Sequence, residues 1–172
     1  MDKELEELFE TYEVQRLLKA ARGFISLLEK DNLSQGELIF RSRESLSELY
    51  AAALNFPEVP LRFNKDKDFE MGELDEELRK GNKNLINKVK DGGLYWEVFD
   101  PVFDKEEAPT LGWLGDDFSD MYNSLKSDLY KIDVIASNES IENGLWSIEF
   151  GFRVNWGHHC INALRALHFL AG

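Results

Sequence analysis

The chain has 172 residues, enough for one domain with a sizeable core. Its 33 acidic residues against 20 basic ones give a formal net charge of −13, a field that repels phosphate backbones and anionic membranes. That weighs against nucleic-acid and lipid partners and favours a basic surface on any protein partner.

At 43% hydrophobic residues the sequence is too apolar for a disordered chain. The single cysteine, Cys160, allows no intrachain disulfide and fits a reducing compartment. The opening Met1-Asp2-Lys3-Glu4-Leu5 has neither the basic nor the apolar region of a secretory signal. No segment approaches the roughly 20 apolar residues of a membrane helix, so a cytoplasmic location is expected.

Residues 2–10 are helix-prone, but Leu5, Leu8, Phe9 and Tyr12 project along their own face, as in a separate short helix or one packed on a second neighbour. From Glu13 to Lys30, Val14, Leu17, Leu18, Ala21, Ile25 and Leu28 recur in steps of three and four and predict a helix. Ser34-Gln35-Gly36-Glu37 has the form of a capping box. It opens a second helix with Leu38, Ser42, Leu46, Leu49, Tyr50, Ala53 and Leu54 inward, which Pro57 and Pro60 end. Residues 56–72 read as a long connection.

A third, weaker helix is expected from about Glu73 to Lys90 on Leu74, Leu78, Leu85 and Val89, interrupted at Gly81-Asn82 and stopped by Asp91-Gly92-Gly93. Leu94–Phe103 is compatible with a short strand, a buried turn or one helical turn, and a Pro-bounded acidic loop covers about 100–110. Leu114, Phe118, Met121, Leu125 and Leu129 predict a fourth helix from Gly112 to Lys131.

The last segment, Glu139 to Leu170, alternates like a strand between Trp146 and Trp156. It also carries a helical stripe of polar or small residues, Ser147, Gly151, Asn155, His158, Asn162 and Arg165, that continues into the helical Ala163–Leu170. Helix is the reading adopted. The expected architecture is therefore all-α, one irregular bundle of about five helices with a central, apolar C-terminal helix.

Charge is uneven. Between Glu97 and Asp120 eight acidic residues stand against one base, Lys105, directly after the basic run Arg79, Lys80, Lys83, Lys88 and Lys90. An intramolecular match between the two runs is expected.

Three polar side chains fall on the apolar side of the last helix. Glu149 and Arg153, four residues and roughly 40° apart, are placed to form an internal ion pair, and His159 falls among Ile148, Phe152, Trp156 and Ala163. Buried charges need partners and active sites exploit them, so these three are the catalytic candidates. A structural salt bridge and a core histidine are the plainer reading.

Asp116, Asp117 and Asp120 have the DDxxD spacing with which isoprenoid synthases hold magnesium, since carboxylates one turn apart can share a hard cation. Asp116 and Asp120 point away from the Phe118 stripe, however, and acids near a helix start also stabilise its dipole. Pairing Glu73, Glu76 and Glu77 with Asp117 and Asp120 resembles the four-carboxylate magnesium sites of all-helical nucleotide pyrophosphatases. Cys160 follows His159 directly, but neighbours on a helix diverge by roughly 100°, and the thiol reads as packing.

The order Tyr95-x-x-Val98-Phe99-Asp100-Pro101, Gly115-Asp116-Asp117-Phe118-x-Asp120-x-Tyr122, Asn155-Trp156-Gly157-x-His159 and Ala163-Leu164-Arg165-Ala166-Leu167-His168 resembles a bacterial family known as domain of unknown function 5063. The likeness runs from about Tyr12 onward. It implies an all-helical domain and brings no activity. That family often carries a histidine where Asn155 stands here, which removes a site built on paired histidines at 155 and 159.

The leading expectation is a non-catalytic interaction or regulatory domain with no cofactor. The alternative is a metal-dependent hydrolase of a phosphate-containing small molecule, in which Asp117, Asp120, Glu149 or His159 would serve a divalent cation. The enzyme requires such a trio to meet in one cavity. The interaction domain requires an exposed apolar patch near the acidic loop or a partner chain.

Overall fold

A computed structural model describes residues 1–63, 69–97 and 108–170. The chain enters through α1 (Lys3–Phe9), capped by Asp2, and turns at Thr11, which caps α2 (Tyr12–Glu29). The Ser34/Glu37 capping box forms as the sequence predicts and starts α3 (Gln35–Ala53). After the long connection comes α4 (Gly72–Val89), whose Lys88 reaches back to the carbonyls of Leu28 and Lys30 and satisfies the C-terminus of α2. Two four-residue strands, β1 (Leu94–Glu97) and β2 (Thr110–Trp113), pair antiparallel with Leu94 opposite Trp113.

α5 (Leu114–Tyr130) follows directly and ends in a wider turn, Lys131–Ile135, that closes on Ala136 in the left-handed region. α6 (Asn138–Val154) and α7 (Trp156–Leu170) complete the chain. α5 packs against α2, α4, α6 and α7, while α7 lies on α3, α5 and α6. Their shared core includes Phe24, Leu46, Phe118, Met121, Leu145, Ile148 and Trp156, all completely buried. Among the described residues no helix is long and apolar enough to cross a membrane.

The class is all-α, with seven α-helices among the described residues rather than about five. Residues 3–9 form their own helix, and the expected single helix from Glu139 to Leu170 breaks at Asn155 (φ −142°, ψ −92°). At that break the Trp156 ring turns inward and its Nε1–H donates to the Ile148 carbonyl at 3.0 Å. Gly157 permits the junction, because a Cβ there would stand 2.0 Å from the Phe152 carbonyl oxygen. The strand-like alternation before the break belongs to α6. Its surplus aromatics, Trp146 and Phe150, stack on each other with centroids 4.9 Å apart.

Two polar ties hold the periphery. Glu142 on α6 is 1% exposed, accepts the backbone N–H groups of Arg62 and Phe63 at 2.7 and 2.8 Å, and pairs with the Arg62 guanidinium, which also meets Asp2 and Glu4. Lys126 on α5 bridges Glu29 and Glu77 at 2.5 and 2.9 Å. The expected match between the basic and acidic runs does not form among the described residues. Arg79 pairs with Glu76, Lys88 binds carbonyls, and residues 98–107 of the acidic run lie outside the described chain.

Candidate functional site

Two places gather the side chains or the space that a function could use. The first is a polar seam along α7. The alternation of β1 turns Tyr95 and Glu97 toward the bundle. Gly112, opposite Tyr95 in the ladder, leaves room for its ring, which would lie 2.6 Å from a Cβ there. Tyr95 Oη donates to Asp117 Oδ2 at 2.6 Å, and His159 Nδ1 lies 3.0 Å from Asp117 Oδ1. The other ring nitrogen, Nε2, faces Asp120 Oδ2 at 3.1 Å. Further along α7, Asn162 donates to Glu97 at 2.5 Å and Arg165 to the Trp96 carbonyl. One turn the other way, Asn155 donates to Ser124 at 3.2 Å.

Asp117 is buried in the first turn of α5, where helix polarity favours its charge. Its hydrogen bond is the main reason that the His159 ring holds its proton above the ordinary histidine range. Burial opposes this, and the charges of Asp117, Asp120 and Asp116 add to it. Burial pushes the Asp120 carboxyl up, against the pull of His159 and with the repulsion of Asp116 and Asp117. Burial and the Asp117 bond keep the proton firmly on Tyr95. A protonated His159 therefore sits between two carboxylates with both ring nitrogens engaged.

Of the sequence candidates, the structure brings Asp117, Asp120 and His159 together. Asp120 points away from the Phe118 stripe, as expected, and there it meets His159 of α7. Asp116 is exposed and contributes only its charge. Glu149 and Arg153 do pair, at 2.9 Å, but the pair is not internal: the Arg153 side chain is 61% exposed. Glu149 bonds to none of the cluster. Glu76 and Glu77 are tied to Arg79 and Lys126, away from Asp117.

Among the described residues no three His, Cys, Asp or Glu side chains are arranged to hold a metal ion. Among the described residues no hydroxyl or thiol bonds to the His159 imidazole. Cys160 is buried against the Leu46 carbonyl, and burial raises its thiol pKa to about 12, the behaviour of a packing residue.

The second place is a groove of about 1180 Å³ between α2 and α3. Its apolar lining includes Ala20, Gly23, Leu27 and Gly36, with Tyr12 (72% exposed) and Phe40 (60% exposed) at its sides. Tyr12, Ala20, Gly23 and Leu27 form a second stripe on α2 beside the core stripe, and Gly36 and Phe40 face it from α3. The sequence periodicity of the core face concealed it. A smaller exposed apolar strip, Leu94, Trp96 and Leu111, occupies the outer face of the β1–β2 pair. It borders residues 98–107, outside the described chain.

A likeness in fold exists to the crystal structure of protein BF1032 from Bacteroides fragilis, with TM-score 0.78, 19% identity and 96% of each chain covered. No curated protein matches. The sequence profile of a family described as a domain of unknown function, DUF5063, matches residues 9–171, and the chain belongs to that family.

Proposed function

We propose that this domain is a non-catalytic interaction module and that it meets its partner in the groove between α2 and α3. The observation that carries the reading is the groove itself, whose exposed surface is more apolar than polar, with two exposed aromatic side chains at its sides and charged residues along its rim. Exposing Tyr12 and Phe40 on a free surface forgoes roughly 1.5–3 kcal/mol per side chain that burial would return. The polar seam supports the same reading from the other side. Its histidine has both nitrogens bound to carboxylates and no nucleophile beside it, which is how a structural clasp between α5, α7 and the hairpin is built.

Affinity purification of the tagged protein from its native cells tests this, comparing wild type with Phe40→Glu and with Trp96→Glu on the hairpin. The expected result is a stoichiometric companion protein lost with Phe40→Glu and kept with Trp96→Glu. Loss with Trp96→Glu alone would move the interface to the hairpin and refute the groove.

A further inference from the structure

The shape and charge of the groove say what kind of partner fits it. From Tyr12 to Lys30 its α2 wall runs about 27 Å at 1.5 Å per residue. Its volume exceeds the roughly 300–1,000 Å³ usual for small-molecule pockets, and its two walls are antiparallel helices, the geometry that receives a third helix. Gly23 lies on the floor. It sits two-thirds of the way along α2 with helical backbone, and a Cβ there would meet nothing within 4 Å. Nothing within the chain requires glycine at this exposed helical position, whereas an incoming helix backbone would approach closely there.

The charges lining the groove run against the rest of the chain. Arg16 is paired with Glu48, and Glu37 is held by the Ser34 cap. Among the described residues Lys19, Lys30 and Arg41 form no ion pair, although Lys19 also acts on Glu48 and Arg41 on Glu37. With Arg16 the lining holds four bases against three acids, Glu37, Glu44 and Glu48, a local reversal on a protein of net charge −13. Within a Debye length of about 8–10 Å this excess acts ahead of the more distant acids, so the basic partner suggested by net charge does not apply at this surface.

We propose that the groove seats an amphipathic α-helix of a partner protein, about five turns long, with small or aliphatic residues along its buried seam and Asp or Glu on its flanks. This rests on the groove being the interaction surface. The apolar seam covers Phe40 and Tyr12, a small residue crosses at Gly23, and the flanking acids reach Lys19, Lys30 and Arg41.

The test uses three fluorescent 18-residue peptides with the same Leu/Ala seam: one with Glu flanks, one with Lys flanks, and the Glu-flanked one with two central prolines. The expected result is saturable binding of the Glu-flanked helix alone, with amide shifts on α2 and α3, weakened at least tenfold by Lys19→Glu with Arg41→Glu. Gly23→Leu, whose Cβ meets open space and which replaces glycine with a good helix former, keeps or raises the melting temperature and abolishes binding.

Equal binding of the Lys-flanked or proline peptide, or no binding of any, overturns the acidic-helix assignment. If the Phe40-dependent companion still co-purifies, the groove reading survives that failure; if it does not, both fall. A dimer of the purified protein in sedimentation velocity, dissociated by Gly23→Leu, would make a second copy the occupant and likewise overturn the proposal.

Discussion

Replacing Asp117 by Asn tests the physics of the polar seam. The wild-type carboxylate accepts from Tyr95 at 2.6 Å and lies 3.0 Å from His159 Nδ1. An asparagine keeps one acceptor and turns an N–H₂ toward the other donor, so one charge-assisted bond is lost and a donor faces a donor. Such bonds contribute about 1.5–3 kcal/mol each. His159 is 27% exposed and solvent relieves part of the loss, leaving about 1–2 kcal/mol. For a chain of this length that is about 2–8 °C in Tm.

The pH dependence follows from the sign of the shift. The folded state raises the pKa of His159, so the stabilisation is complete below the unfolded value of about 6.5 and is lost as pH rises through the higher folded value. Because Asp117 is the largest cause of that shift, Asp117→Asn flattens this decline. Urea titrations of both proteins between pH 5 and 9 measure it. A difference below about 0.5 kcal/mol that does not change with pH would refute the reasoning.

Other consequences lie elsewhere in the fold. Glu142→Ala leaves two backbone N–H groups and a guanidinium without their buried acceptor and is expected to cost about 2–4 kcal/mol; hydrogen exchange should show Arg62 and Phe63 losing protection. Gly23→Ala adds a methyl in open space within a helix and should raise stability by about 0.5–1 kcal/mol by chemical denaturation. The Cys160 thiol, with its pKa raised to about 12, should react with a disulfide reagent near neutral pH only at the rate of unfolding.

What could be read from sequence divides along physical lines. Helices with a single core face, such as α2 and α5, announce themselves by period, and the Ser34 cap by its partner at Glu37. The hairpin does not, because two strands of four residues joined across 98–109 have too little periodicity, and that join also hides Tyr95 as the partner of Asp117. The break at Asn155 escapes notice because local preference still favours helix through it. The break depends on Gly157 tolerating the Phe152 carbonyl and on Trp156 finding a buried acceptor, both tertiary facts. With the break misplaced, the angular positions of His159 and of the Glu149/Arg153 pair are misplaced too. Glu142 gave no signal at all, since its partners come from a non-helical stretch eighty residues away.

The groove between α2 and α3 is the centre of the account, and crosslinking in living cells probes it most directly. A photoreactive residue at position 40, compared with one at Lys83 on α4, should give a discrete adduct from position 40 alone. Gly23→Leu, whose Cβ meets open space at the groove floor, should remove that adduct. An adduct that persists in Gly23→Leu, or the same adducts from both positions, would contradict the claim that this groove is where the protein meets its partner.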